Sequence, residues 1–127
     1  GALRELQEEV GLHIDRRHVL GRLDDYPTRS GYIISPFIVW GGKQPELKAS
    51  PQEVAAIHRI PLSELIRNDA PILESIPESD EPVLKMPIGD EWFAAPSAAI
   101  AYQFREVVLY GRHTRVVHFE QPYFAWK

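Results

Sequence analysis

Apolar and acidic positions at the start of the chain repeat with the period of an α-helix. The apolar positions are spaced i, i+3, i+7 and share one face: Leu3, Leu6 and Val10. The carboxylates are spaced i, i+3, i+4 and share a different face: Glu5, Glu8 and Glu9. Gly11 stands where a left-handed residue ends a helix of this length. The pattern therefore predicts a short amphipathic helix over residues 2–10 with an acidic stripe.

The next apolar runs have the composition of strands. Val19 to Leu23 predicts a short strand. Tyr32 to Trp40 is the strongest strand pattern, because it is rich in β-branched and aromatic residues. Pro36 within this run indicates an edge position or a bulge. Residues 24–31 predict a loop, and residues 53–60 predict another strand after a polar loop.

Two helices are predicted in the second half of the chain. Residues 61–66 form a short pattern with Pro61 near its start, a position that suits proline. Residues 96–110 form a longer pattern that ends before Gly111. The side chains expected to form its buried stripe are Ile100, Phe104, Val107 and Val108.

The other segments of this half predict a hairpin, a loop and a tail. Val83 to Met86 and Glu91 to Ala94 predict a hairpin around Pro87 to Asp90. Residues 67–82 contain three prolines and several acids, and this composition predicts an exposed loop. Residues 114–127 predict an extended, aromatic tail. Helices and strands in this order favour a mixed α+β fold.

Composition narrows the classes of function. The 127 residues suffice for one domain with a core. A net charge of −4 argues against a general nucleic-acid binder, and no apolar run is long enough to span a membrane. The chain has no cysteine, which excludes disulfides, thiolate metal sites and a cysteine nucleophile. We therefore expect no nucleic-acid or membrane partner, and we place the protein in the cytoplasm.

The acidic stripe has the chemistry of a divalent metal site. Carboxylate oxygens are the ligands that Mg²⁺ and Mn²⁺ prefer, and these ions in turn bind phosphates. Such ions neutralise phosphate charge and activate a water, while a nearby carboxylate can accept its proton. The alternative is a solvated helix face, since glutamate-rich faces are common on protein surfaces.

The run Arg4 to Leu12 resembles the second half of the Nudix box, Arg-Glu-apolar-X-Glu-Glu-X-Gly-apolar, at every defined position. The resemblance implies a Nudix-type α/β/α sandwich around a mixed sheet. It also implies that Glu5, Glu8 and Glu9 bind Mg²⁺ or Mn²⁺, and that the catalytic residues are Glu5, Glu8 and Arg4. The Arg of the box orients a glutamate, and i, i+4 spacing lets Arg4 reach Glu8.

The first half of the Nudix box, with its own Gly and Glu, would precede Arg4, where the sequence has three residues. The first strands of the fold normally precede the box as well. We therefore expect residues 1–127 to form a single, incomplete Nudix hydrolase domain. A preceding segment or a homodimer would complete it, because unpaired sheet edges seek partners.

Three further segments carry candidate ligand contacts. The resemblance suggests Glu53, or Glu46, as a loop acid near the site; the alternative, which we favour for each, is a solvated loop acid or a strand-start residue. The run Pro27 to Tyr32 is similar to a segment of coenzyme A pyrophosphatase-like Nudix proteins. In this chain Arg29 would contact a phosphate, and Ser30 and Thr28 would add hydroxyl groups to the contact. The alternative is a tight turn whose backbone needs Gly31. The aromatic run 119–126 could stack on a ring, but we favour packing.

The resemblance therefore implies a metal-dependent hydrolase that cleaves a pyrophosphate bond in a small-molecule substrate, a nucleoside diphosphate linked to another moiety. The expected substrate is a coenzyme A-like or another dinucleotide-like diphosphate. The first alternative is a non-catalytic Nudix-like binding or interaction module. The second is a plain α+β domain in which the acidic helix is only solvated.

Overall fold

A computed structural model describes residues 2–11, 15–42 and 59–126 of the chain. They comprise helices and antiparallel strands, which confirms the α+β class. Two compact units are present. The first takes in Gly1–Arg22 and Phe37–Arg59, and the second takes in Leu23–Pro36 and Ile60–Lys127.

The first unit contains the predicted acidic helix and a two-stranded sheet. Helix α1 spans Ala2–Val10, as predicted. A 3₁₀ turn at Arg16–His18 then leads into strand β1, Val19–Arg22. Strand β1 pairs antiparallel with a strand at Phe37–Val39. The strand prediction for residues 19–23 is thus confirmed to within one residue.

The predicted single strand over residues 32–40 is wrong, because the segment forms two short strands. Strand β3, Ile33–Ile34, pairs with strand β2, Tyr26–Pro27. Strand β2 lies in the segment 24–31, for which the sequence predicts a loop. Strand β4, Phe37–Val39, pairs with β1 instead. Pro36 lies between β3 and β4, and its carbonyl accepts a hydrogen bond from the Leu23 N–H at 3.0 Å. Proline has no N–H to donate to a ladder, so the pairing changes partner at this point.

The second unit is built on a three-stranded antiparallel sheet in the order β5, β6, β7. These strands span Ile72–Ile76, Ser79–Ile88 and Glu91–Ala94. The predicted hairpin of residues 83–94 is confirmed. Its turn is narrower than expected, because Ile88 pairs with Glu91 and leaves only Gly89 and Asp90 between the strands. Gly89 has a φ of +56°, a value that suits a glycine in such a turn.

The exposed loop predicted over residues 67–82 is wrong, because it contains β5 and the start of β6. Its prolines lie where the ladder requires no N–H. Pro71 precedes β5 and Pro77 lies in the turn between the strands. Pro82 lies beside an irregularity in the β5–β6 register, and its carbonyl accepts from the Glu120 N–H at 2.8 Å. The number of prolines therefore predicts a loop, but a strand is possible here because each proline lies at a position where the ladder needs no N–H donor.

The two helices predicted in the second half are present. Helix α2 spans Leu62–Leu65, and helix α3 spans Ser97–Phe104 and continues as a π-helical turn over Arg105–Leu109. Gly111 follows with a φ of +66°. In the π-helical turn the Tyr110 N–H donates to the Arg105 carbonyl at 3.1 Å.

The predicted buried stripe of the longer helix is wrong in its second half. Val107 and Val108 are exposed, at 39% and 48%. The buried positions on this helix are Ala98, Ala99, Gln103 and Glu106. A π-helical turn inserts an extra residue, so a stripe extrapolated at 3.6 residues per turn loses phase there.

The core of the second unit lies between β6 and α3. Leu84 and Met86 of β6 have no exposed surface, and neither do Ala98 and Ala99 of α3. Val116 joins them from the tail. The tail was predicted to be extended, and in the structure it pairs with β6 through a Val83–Glu120 bridge and ends in a 3₁₀ turn at Tyr123–Ala125.

Candidate functional site

Helix α1 carries the predicted metal ligands Glu8 and Glu9, whose side chains the structure describes. Arg4 Nε lies 3.6 Å from Glu8 Oε1, as the i, i+4 spacing predicts, and both side chains are largely exposed. Glu9 is partly buried. The helix ends where the sequence predicts, because the Gly11 N–H donates to the Gln7 carbonyl at 2.9 Å and Gly11 has a φ of +72°. The side chain of Glu5 lies outside the described residues.

The donors on α1 suit a hard cation. Glu8 and Glu9 are adjacent carboxylates. Mg²⁺ commonly takes one or two protein carboxylates and completes its shell with waters and substrate phosphates. In the part of the chain that the structure describes, no three His, Asp or Glu side chains form a metal-binding group. The donor chemistry therefore fits Mg²⁺ or Mn²⁺, and the third predicted ligand is Glu5.

The predicted phosphate loop is a tight turn. The Thr28 N–H donates to the Tyr32 carbonyl at 2.7 Å, and the Tyr32 N–H donates to Thr28 Oγ1 at 3.1 Å. Gly31 has a φ of +97°, which side chains rarely adopt. Ser30 Oγ lies 3.0 Å from Thr28 Oγ1. The tight-turn alternative is confirmed for the backbone, and the proposed phosphate contacts stay predictions.

Arg29 is engaged by the tail. Its Nε donates to Glu120 Oε1 at 2.9 Å, and its Nη2 donates to Glu120 Oε2. Its guanidinium carbon lies 3.8 Å from the centroid of the Trp126 ring. The Arg29 hydrogen bonds hold the pKa of the Glu120 carboxyl below its ordinary value, although burial opposes this shift. Glu120 is therefore a charged, buried anchor for the loop.

The same tail fixes the loop at two more points. Gln121 Oε1 accepts from the Arg29 main-chain N–H at 2.8 Å. The Tyr26 hydroxyl donates to the Phe119 carbonyl at 2.7 Å. Burial raises the pKa of Tyr26 to about 12, so the hydroxyl keeps its proton and remains a donor. These contacts support the packing interpretation of the aromatic run 119–126.

A second polar cluster surrounds the buried Glu106, which sequence reasoning missed. Arg112 Nη1 donates to both of its carboxylate oxygens, at 3.2 and 3.1 Å. Thr114 Oγ1 donates to Oε1 at 3.1 Å, and Arg105 Nε lies 3.7 Å from Oε2. Cations surround this carboxylate, so it has the surroundings of a structural anchor and lacks those of a metal ligand.

The predicted site residues fall into separate groups. Arg4 and Glu8 meet in the first unit, and Arg29 and Ser30 lie on one turn of the second. Glu46 and Glu53, with most of the strand predicted over residues 53–60, lie outside the described residues. No pattern in the sequence predicts a partner for Glu120, although it is the one acid in the aromatic run 119–126. An acid isolated among aromatic residues is a signal that could have identified a buried ion pair.

Within the described ranges, no helix is both long enough and apolar enough to span a bilayer.

Comparison with known proteins gives relatives of one kind. The chain is 37% identical over 65 residues to an uncharacterized Nudix hydrolase, NudL, of Photorhabdus laumondii; the match covers 51% of this chain and 35% of that protein. It is 35% identical over 66 residues to the NudL protein of Yersinia enterocolitica, covering 52% and 34%. The Yersinia pestis protein of the same name is 35% identical over 65 residues, covering 51% and 33%.

No family model matches the chain. No solved structure matches it either. The chain spans about a third of the length of the curated relatives it matches.

The fold and the first helix define an α+β protein with adjacent carboxylates, Glu8 and Glu9, on its first helix. These matches bear out the resemblance seen at Arg4 to Leu12: over about half of its length the chain is similar to proteins named as Nudix hydrolases.

Proposed function

We propose that this protein is a metal-dependent pyrophosphohydrolase. The observation that carries the proposal is the run Arg4 to Leu12, whose acids lie on one short helix that ends at Gly11. The contact between Arg4 and Glu8 supports the catalytic arrangement that the resemblance implies. The relatives named as Nudix hydrolases support the same reaction class.

The proposed ligands of Mg²⁺ or Mn²⁺ are Glu5, Glu8 and Glu9. A divalent ion in such a site supplies charge neutralisation and lowers the pKa of a bound water. Arg4 orients Glu8 through their i, i+4 contact. Glu5 or Glu8 accepts the proton of the attacking water.

The proposed substrate is a nucleoside diphosphate linked to another moiety, with a coenzyme A-like compound as the first candidate. Arg29, Ser30 and Glu53 are the proposed substrate contacts. We further propose that residues 1–127 belong to one Nudix-type α/β/α sandwich, which acts in the cytoplasm and forms a homodimer.

The test is metal-dependent release of a mononucleotide from a panel of coenzyme A, ADP-ribose, NADH and a nucleoside triphosphate. The 127-residue chain and the product of its whole gene are both assayed, each with Mg²⁺ and with Mn²⁺. Glu9→Gln should abolish the activity, because it removes a ligand charge and keeps the side-chain shape. Glu78→Gln is the matched control, since Glu78 lies in the exposed turn between β5 and β6.

A Glu9→Gln protein with undiminished hydrolysis would exclude Glu9 as a ligand. Absence of hydrolysis in both forms, together with no Mn²⁺ binding, would instead favour a non-catalytic binding module.

A further inference from the structure

Arg29 is fixed on one edge and one face, and its other edge is open. Its Nε and Nη2 donate to the two carboxylate oxygens of Glu120, and its planar group stacks on the Trp126 ring. Its Nη1 donates to none of the described residues. The Arg29 side chain remains 45% exposed, whereas that of Glu120 is 9% exposed. The guanidinium therefore has a set orientation and N–H groups left for a ligand.

Glu120 and Trp126, which contact Arg29, are each fixed by a hydrogen bond to Gln121. The Gln121 N–H donates to Glu120 Oε1 at 3.1 Å, and Trp126 Nε1 donates to the Gln121 carbonyl at 2.8 Å. Gln121 Oε1 also accepts from the Arg29 N–H. One short stretch of tail thus fixes both the main chain and the side chain of Arg29. A guanidinium that is ordered beforehand loses less rotamer entropy when it binds an anion.

We infer that Glu120 and Trp126 are positioning residues, which fix Arg29 so that its open edge contacts a phosphate oxyanion. A guanidinium offers a planar fork on more than one edge, and this fork matches carboxylate and phosphate alike. Here the buried carboxylate takes one edge and a phosphate takes another. The inference rests on the proposed function, because the phosphate is that of the diphosphate substrate.

Binding of inorganic pyrophosphate, measured by calorimetry in EDTA, tests the inference without any metal. Arg29→Lys keeps the charge but loses the fork, and should weaken binding about tenfold, the effect of one lost charge-assisted hydrogen bond. Glu120→Gln and Trp126→Ala should also weaken the binding of pyrophosphate. Trp126→Phe keeps an aromatic ring under Arg29 and should retain most of the wild-type affinity. In the hydrolysis assay Glu120→Gln should raise KM and leave kcat unchanged.

Arg115→Lys is the matched control. Arg115 also donates to both oxygens of a carboxylate, that of Asp24, but its side chain is 74% exposed and that of Asp24 is 33% exposed. This variant should bind pyrophosphate like the wild type.

Several outcomes would overturn the inference. They are an absence of pyrophosphate binding to the wild type, equal binding by wild type and Arg29→Lys, or equal losses in Arg29→Lys and Arg115→Lys. If Glu120→Gln does not fold, the Trp126→Ala and Trp126→Phe pair decides the positioning role. A protein that binds pyrophosphate through Arg29 but hydrolyses nothing would refute the proposed function and leave the anion contact standing.

Discussion

Asp24 and Gln103 hold each other through two hydrogen bonds across 79 positions of sequence. The Asp24 N–H donates to Gln103 Oε1 at 3.0 Å, and Gln103 Nε2 donates to Asp24 Oδ2 at 2.9 Å. Gln103 Nε2 also donates to the Thr114 carbonyl at 3.1 Å. One buried amide therefore joins the segment before β2, helix α3 and the start of the tail.

Gln103→Leu should lower the free energy of unfolding by about 1–3 kcal/mol. The leucine fills a similar volume but leaves the Asp24 N–H and the Thr114 carbonyl without their partner. Urea unfolding followed by circular dichroism measures the change. The exposed control Glu91→Gln should stay within about 0.5 kcal/mol of the wild type. Indistinguishable curves for the two variants would show that water replaces the amide at little cost.

Glu106→Ala should be more damaging, with a loss of about 3–5 kcal/mol. Arg105 is mostly buried, and its Nε has no hydrogen-bond partner among the described residues. Removal of Glu106 would therefore leave the Arg105 charge without the carboxylate that it faces. Arg112→Gln acts on the same carboxylate from its exposed side, and should cost only about 1 kcal/mol or less. Thermal unfolding of both variants measures the two losses of unfolding free energy. Equal losses would contradict the anchoring role of Glu106.

The locally determined elements of this fold could be predicted from sequence. Helix α1 and the β6–β7 hairpin follow from periodicity and from turn residues within about ten positions. Gly11, Gly89 and Gly111 all have positive φ at the turns and helix ends where the pattern put them. For the same reason the i, i+4 contact of Arg4 with Glu8 could be foreseen.

The features that sequence reasoning missed depend on distant pairing or on an irregular backbone. Arg29 and Glu120 are 91 positions apart, and no local pattern pairs them. The π-helical turn changes which side of the helix Val107 and Val108 face. Pro36 ends one ladder so that the next strand pairs elsewhere, which an apolar run cannot reveal. The metal site stays a prediction from the sequence motif, because the side chain of its third acid, Glu5, lies outside the described residues.

Stability should fall in acid because three carboxyl groups have lowered pKa values in the folded state. One of them is the exposed Asp69, whose pKa is lowered by hydrogen bonds from Arg67. Hydrogen bonds from Arg115 and then Gln103 hold the pKa of Asp24 below its ordinary 3.8. The hydrogen bonds from Arg29 hold the pKa of Glu120 below 4.5. Each contribution is fully present above the unfolded-state pKa and is lost as the pH falls through the lower folded-state value.

The free energy of unfolding should therefore be steady above about pH 5 and decline below about pH 4.5. Asp24→Asn should make this decline shallower, and Arg115→Gln should do the same because it removes the main donor to Asp24. Urea unfolding at pH 2.5, 3.5, 4.5 and 6 measures the slope. A slope that neither variant changes would show that Asp24 titrates alike in the folded and unfolded chains.

Arg4→Ala should separate catalysis from stability. The pair of Arg4 and Glu8 is exposed, and exposed helix pairs contribute about 0.3–0.5 kcal/mol, so the unfolding midpoint should hardly move. Metal-dependent hydrolysis should nevertheless fall, because in the proposed mechanism Arg4 orients Glu8. Arg67→Ala gives the contrasting case, since Arg67 contacts Asp69 and the Gly89 carbonyl and its loss should lower stability. Unchanged activity in Arg4→Ala would remove Arg4 from the proposed mechanism.

Two glycine substitutions test whether the turn before β3 depends on its backbone conformation. A Cβ at Gly31 or at Gly21 meets no atom within 4 Å, so neither alanine variant is opposed by a clash. Only Gly31 has a positive φ, at +97°, and alanine is strained there by about 1–2 kcal/mol. Gly31→Ala should thus lower the unfolding free energy, whereas Gly21→Ala should be neutral or mildly stabilising. Amide exchange at Arg29 and Tyr32 should quicken in Gly31→Ala alone, because the Gly31 turn brings Thr28 and Tyr32 together. Equal stability of the two variants would mean that the turn relaxes to a negative φ without loss of its hydrogen bonds.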